Sequence, residues 1–234
     1  MGKFNMATSI SLIKLSDPTI AVLAQYTGEI LRERLLLMKL QPKMIFDLGC
    51  QSEEMTPALK KRFPFSDVAT INFPENKLAE LMVANLTLIW QADLLYALKQ
   101  IRQQLSVGGL LMLTALGPDT LNELPDRSLV LPQLIDMHHL GDALVQAGFS
   151  DPVLDVEYVT ITYRDSEKLF YEMCATKMIH ENAKKLSLIP NEEHIFSLTF
   201  EVIHAHAFAA APKFLADESG VTRFPAGNIL RRYK

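Results

Sequence analysis

Cysteine occurs only at Cys50 and Cys174 in 234 residues, so no disulfide framework braces the fold and a reducing, cytoplasmic setting is expected. Long apolar runs are missing too. No window approaches the ~18 uninterrupted hydrophobic residues that a membrane span requires. Positive charge is not in surplus: Lys and Arg number 23 against 27 Asp and Glu, for a net charge of −4. That balance gives no sign of a nucleic-acid or membrane-surface partner, both of which rely on concentrated positive charge. The one basic cluster at an end, Arg231, Arg232 and Lys234, reads as a solvated terminus rather than a docking site. The opening Met1-Gly2-Lys3-Phe4-Asn5-Met6 has no signal-peptide pattern, and Met6 stands where myristoylation needs Ser or Thr. Internal repeats and low-complexity segments are absent.

What is present is an ordinary globular composition, 49% hydrophobic and 21% charged, enough for a full core and read as a single domain over 1–234. Apolar positions from Ile20 to Met38 recur at helical spacing after Asp17-Pro18. A strand is expected at 44–48, a helix at 56–63 and a second strand at 68–73, ended by Pro74. Residues 81–86 fit either a helical face or a strand, and the strand is preferred. A helix over 92–105 leads to a turn at Ser106-Val107-Gly108-Gly109 and a buried strand at 110–113. Beyond it, helices are expected at 137–147 and 166–179, and strands at 153–163 and 196–208; the stretch 180–194 is the most loop-like. Strands alternating with helices imply a largely parallel sheet covered on both faces. The last two strands suit an antiparallel edge. The chain divides into an N-terminal helical segment (1–40) and two following parts, 41–115 and 116–234.

Glycine is scarce, ten residues in all, and the shortage falls at the loop after the first strand, Asp47-Leu48-Gly49-Cys50-Gln51-Ser52-Glu53. Strand, acidic residue, glycine and helix have the outline of a nucleotide-cofactor loop. Such loops use glycine because the backbone must turn at positive φ and approach the ligand with no Cβ in the way. In class I S-adenosylmethionine-dependent methyltransferases, which this loop resembles, the pattern is acid-x-Gly-x-Gly-x-Gly. Here only Gly49 survives; Gln51 and Glu53 fill the other two positions. Glu53 also suits the start of the following helix, where the helix dipole favours an acid by roughly 0.3–1 kcal/mol.

Downstream the chain resembles one branch of that family, the malonyl carrier-protein O-methyltransferases of biotin synthesis, and is similar to their mitochondrial relatives in complex I assembly. The strings that carry the resemblance are NLTLIWQADLLYALKQIRQQLSVGGLLMLTALGPDTLNEL from Asn85, DMHHLGDALVQAGFSDPVLDVEYVTITYRD from Asp136, FEVIHAHAF from Phe200 and RFPAGNILRR from Arg223. The resemblance implies an α/β fold, a truncated class I methyltransferase with a mixed, mainly parallel sheet. It implies S-adenosylmethionine as cofactor if the chain is active, held near Asp47, Gly49, Gln51 and Asn72, with Gly117, Asp119, Thr120 and His138 on the substrate side. An acyl carrier protein or another protein is the implied partner. Asn72 replaces the acid that ends the family's second strand, the third strand and its adenine contacts look deleted, and the amino-terminal Tyr-Asp element is not recognisable before Gln25.

Six residues after the second strand reach only ~20 Å when extended, while a parallel crossover normally takes a dozen or more. Residues 68–73 are therefore expected to leave their usual parallel place. His138-His139 and His204-x-His206 lack an acid or cysteine at diagnostic metal spacing, and no metal site is expected. Leu36, Leu37, Met38, Met82, Met112, Met137 and Met173 read as core fillers. Lys60-Lys61-Arg62 is a solvated helix end that an acidic carrier protein could also use. The leading expectation is a degenerate family member with weakened cofactor binding and a protein-binding or regulatory role. The alternative is an active carboxyl O-methyltransferase acting on malonyl carrier protein.

Overall fold

The computed structural model describes residues 18–49, 55–70, 77–175, 177–181, 190–191 and 194–211. Cys50, Gln51, Glu53, Asn72, most of the 180–194 stretch and the basic tail lie outside the described residues. The elements run α1 (Pro18–Leu37), β1 (Met44–Asp47), α2 (Met55–Arg62), β2 (Asp67–Thr70), β3 (Ala79–Ala84), α3 (Leu94–Gln103), β4 (Leu105–Leu116), α4 (Met137–Gln146), β5 (Phe149–Tyr163), α5 (Ser166–Ala175) and β6 (Phe196–Ala209). Short 3₁₀ turns occupy Leu88–Trp90 and Arg127–Leu129.

The strands form one six-stranded sheet in the order β2-β1-β3-β4-β6-β5. β2, β1, β3 and β4 are parallel, whereas β6 pairs antiparallel with both β4 and β5. This is the expected mixed sheet. Side chains alternate between its faces, so neighbouring residues in β1, β3 and β4 enter different cores. Phe46, Met82, Leu111 and Leu113 pack with Leu98 and Ile101 of α3 and Leu140 and Leu144 of α4. Ile45, Leu81, Val83 and Met112 pack with Leu31 and Leu35 of α1 and Leu59 of α2. Farther along that second face, Phe200 and Val202 meet Leu23 of α1 and Leu169, Phe170 and Met173 of α5. Near-complete burial of such side chains contributes about 1.5–3 kcal/mol each.

Local chemistry sets the helix starts. Asp93, Asp136 and Asp165 accept hydrogen bonds from the free amides of the first turns of α3, α4 and α5, at 2.8 Å from Tyr96 N, 2.8 Å from His138 N and 2.9 Å from Glu167 N. These are N-cap bonds of the kind that stabilise a helix by ~1 kcal/mol.

Three expectations need correction. β2 does keep a parallel place beside β1, with Val68 opposite Ile45 and Thr70 opposite Asp47. The crossover is shorter than a usual one because β2 has four residues and only one strand separates it from β3. From Thr70 to Lys77 the chain can extend ~23 Å, against a lateral step of ~10 Å across two strand spacings and a short descent along the sheet. The family's third strand is absent among the described residues, which leaves β2 as the sheet edge. Second, residues 106–109 are not a turn before a strand but part of β4, where the register with β3 shifts between Ala79 and Leu81. Third, Leu36 and Leu37 are not core fillers; they are 61% and 86% exposed, while Met82, Met112 and Met173 are buried and Met38 and Met137 partly so.

A buried amide ties the layers together at the end of β3. Asn85 Oδ1 accepts hydrogen bonds from the hydroxyls of Thr27 on α1 and Thr114 on β4, both at 2.8 Å, and its Nδ2 donates to Ala24 O at 2.7 Å. Thr114 Oγ1 in turn accepts from Leu86 N at 2.8 Å. Asn85→Ala removes the acceptor that Thr27 and Thr114 share and the donor to Ala24 O, while Thr27 can still donate to Leu23 O at 2.9 Å and Thr114 still accepts from Leu86 N; it is expected to lower unfolding free energy by roughly 2 kcal/mol. Urea unfolding followed by circular dichroism checks this; a loss below ~1 kcal/mol would mean that the network is dispensable.

Candidate cofactor and substrate site

The carboxyl ends of β1, β2 and β3 meet at a point where the chain leaves β1 with one parallel neighbour on each side. In open α/β sheets ligands bind at this kind of position. Asp47, the last residue of β1, is 3% exposed and its Oδ2 accepts from Thr56 Oγ1 in the first turn of α2 at 2.5 Å. Leu48 N donates to Val83 O of β3 at 2.9 Å. Gly49 then takes φ +74°, a left-handed conformation that glycine adopts without strain, and its carbonyl accepts from Thr87 Oγ1 at 3.2 Å. Asp47 and Gly49 are thus brought together at the crevice. Gln51 and Asn72, expected to join them, lie outside the described residues.

Across the crevice, Leu88 and Leu94, Leu113 and Ala115 of β4, Ile135 and Leu140 help line a cavity of about 120 Å³. Residues 130–136 strap this end of the sheet: Gln133 N donates to Ile89 O at 2.7 Å and Ile135 N to Leu116 O at 2.9 Å.

The loop that follows β4 holds three of the residues expected on the substrate side. Gly117 N donates to Glu201 O at 2.8 Å, and Thr120 exchanges hydrogen bonds with the Glu201 backbone, Oγ1 donating to O at 3.3 Å and accepting from N at 3.1 Å. The Glu201 carboxylate, missed in the sequence, closes the loop by accepting from Asp119 N at 2.7 Å. Its position on a strand of the C-terminal edge, far from residues 117–120 in the chain, carries no local signal. Asp119 is exposed, and its carboxylate accepts from Asn122 Nδ2 at 3.0 Å and from Tyr158 OH at 3.1 Å. Arg127 grips the other side through the carbonyls of Pro118 and Thr120. Gly117, Asp119 and Thr120 therefore sit in one rigid loop. His138 does not join them: it occupies the second position of α4 with its side chain exposed.

His204 and His206 lie on the sheet face covered by α1. His204 is fully buried and its Nε2 lies 2.6 Å from Glu157 Oε1; Glu157 also accepts from Tyr26 OH of α1 at 3.2 Å. Asp155 beside it holds Arg34 of α1 in a two-pronged ion pair. His204, through Glu157, therefore helps clamp α1 to the sheet, and no metal-binding cluster exists among the described residues.

Comparison with known proteins follows the same lines. No protein-family model matches the sequence. The malonyl-[acyl-carrier protein] O-methyltransferase of Methylovorus sp. is 33% identical over 186 residues, which cover 62% of this chain and 63% of that protein. The protein of the same name from Gallionella capsiferriformans is 32% identical over 68% of this chain and 61% of its own length. The chain thus spans about three fifths of the length of these two relatives. A third, from Halorhodospira halophila, is 26% identical over 91% of this chain and 90% of its own. Among solved structures, YcgJ from Bacillus subtilis has a TM-score of 0.50 and 10% identity, covering 80% of this chain and all of that one. The chain has the class I methyltransferase fold. Its sequence relationship is to the malonyl-[acyl-carrier protein] O-methyltransferase branch.

Two measurements probe this geometry. A Cβ on Gly117 would meet the Glu201 carboxyl carbon at 2.1 Å, so Gly117→Ala must push that carboxylate off Asp119 N, with an expected loss of about 1–3 kcal/mol. In a Glu201→Ala background the same substitution should cost much less, and equal losses in both backgrounds would refute the coupling. Burial lowers the pKa of His204, against the Glu157 hydrogen bond that raises it, and burial likewise lowers that of His206. The unfolded imidazoles, at ~6.5, then take up protons first. Stability is complete above that value and falls as pH drops through the lowered folded pKa. Urea midpoints should fall between pH 7 and 5, and His204→Gln should flatten the slope; an unchanged slope would remove His204 as its source.

Proposed function

We propose that this protein is an S-adenosylmethionine-dependent carboxyl O-methyltransferase acting on a malonyl group carried by an acyl carrier protein. The observation that carries the reading is the sequence similarity, up to 33% identity, to enzymes bearing that name. The described residues fit the cofactor. β1 has parallel neighbours on both sides at the crevice, Gly49 turns at φ +74°, and the buried Asp47 carboxylate is anchored by Thr56. Bound S-adenosylmethionine supplies a sulfonium methyl for in-line capture by a carboxylate oxygen, so the protein needs no strong acid or base. Asp47, Gly49 and Thr87 would hold the cofactor-side turn in place. The loop at 117–120, locked by Glu201 and Arg127, would orient the acyl substrate. Their contribution is alignment and exclusion of water.

A second reading is favoured by Gln51, Glu53 and Asn72, where long or neutral side chains stand in positions that resemble the family's glycines and ribose-binding acid. It is a degenerate member with weakened cofactor binding and a protein-binding or regulatory role.

Calorimetric titration with S-adenosylmethionine and its demethylated product, beside an assay for methyl transfer to malonyl carrier protein, separates the two. Micromolar binding with methyl ester formation is expected. Silence at millimolar ligand in the natural chain, with binding restored by Gln51→Gly/Glu53→Gly, would establish the second reading instead.

A further inference from the structure

The cavity of about 120 Å³ at the carboxyl ends of β3 and β4 is walled in a way that fits one part of an acyl thioester better than another. Leu94 of α3, Leu113 and Ala115 of β4 and Leu140 of α4 make it apolar, and its polar side chains are the carboxamides of Gln91 and Gln133. None of the residues that line it is charged. The two acids next to lining residues in sequence, Asp93 and Asp136, are used in N-cap bonds to Tyr96 N and His138 N. An anionic acyl end would therefore enter without a counter-charge, and burying an unpaired carboxylate is costly. The cavity suits an uncharged guest.

The glutamines narrow the choice. Gln91 N donates to Leu88 O at 3.1 Å and Gln133 N to Ile89 O at 2.7 Å, so the backbone of each is fixed. Their carboxamides have no hydrogen-bond partner among the described residues. A carboxamide offers donors and an acceptor together, and another amide complements both. Size limits the guest as well. An apolar cavity of ~150 Å³ holds benzene, so this one takes about five or six heavy atoms.

We infer that this cavity binds the neutral, amide-bearing end of the pantetheine arm on which carrier proteins hold acyl groups, with Gln91 and Gln133 pairing to its amide; that the guest is an acyl thioester rests on the function proposed above. The amide nitrogen, the ethylene link, the sulfur and the thioester carbonyl match the volume. Held in this way, the arm leaves the acyl carboxylate outside the apolar walls. Leu88 on one wall follows Thr87, whose hydroxyl bonds the Gly49 carbonyl at 3.2 Å, so the cavity adjoins the cofactor-side turn.

The test compares methyl transfer to two malonyl thioesters: the N-acetylcysteamine thioester, which keeps the arm's amide, and the ethyl thioester, which lacks it. The natural chain is measured beside Gln91→Leu/Gln133→Leu. The readout is the ratio of kcat/KM between the two substrates, which a general loss of folding or of cofactor binding does not move. A preference of roughly tenfold for the amide-bearing substrate is expected in the natural chain, falling to within about twofold in the double variant. Equal use of both substrates by the natural chain, as when its own residues fill the cavity, would overturn the inference, and so would a preference that survives in the variant. Binding is read in parallel from the side-chain amide NMR signals of Gln91 and Gln133, which should move on addition of acetyl-N-acetylcysteamine and not of ethyl thioacetate. Such shifts with no methyl transfer to either thioester keep the cavity and refute the enzyme. Transfer with unmoved signals and no preference keeps the enzyme and refutes the cavity; unmoved signals without transfer refute both.

Discussion

The amide of Asn85 is the constraint on which the crevice depends. A buried side-chain amide without partners would cost several kcal/mol, and here its oxygen and nitrogen are taken up by α1 and β4. The consequence reaches the next residue. Leu86 adopts φ +53°, an uncommon conformation for a residue with a Cβ, and its amide is held by Thr114. That reversal carries Thr87 to the Gly49 carbonyl and starts the 3₁₀ turn whose Leu88 lines the cavity. One polar knot thus sets the exit of β3, the seat of α1 and one wall of the site.

α1 accordingly belongs to the sheet more than to an independent segment. It is held by Asn85 near its middle, by Glu157 through Tyr26 and by Asp155 through Arg34. The ion pair is partly exposed and contributes modestly; the apolar contacts of Leu23, Leu31 and Leu35 contribute more. Covering this face also buries His204, whose Nδ1 has no hydrogen-bond partner among the described residues. Protection of α1 and the protonation of that histidine are therefore coupled.

Most of the fold was legible because its signals are local. Pro18 at a helix start and the β-branched run of 153–163 report conformation within a few residues of themselves. Errors arose where the deciding quantity was long-range. The crossover from β2 was judged by its length alone, but β2 is short and the lateral distance small. Leu36 and Leu37 adjoin the buried Leu35 in sequence but lie about 100° and 200° round the helix from it, off the face that meets the sheet. In the site, Asp47 and Gly49 could be found from their order along the chain. Glu201 could not, since only the antiparallel insertion of β6 beside β4 brings it to the 117–120 loop.

The turn that leaves β1 is held from outside itself. Leu48 is fastened to β3, Gly49 to Thr87 and Asp47 to Thr56. None of these bonds involves the side chain of Gln51 or Glu53. The contacts that define the strand, the turn at Gly49 and the start of α2 therefore do not depend on Gln51 or Glu53. An acid just before α2 is even favourable for that helix. Similarity of fold therefore constrains activity less tightly here than it constrains architecture.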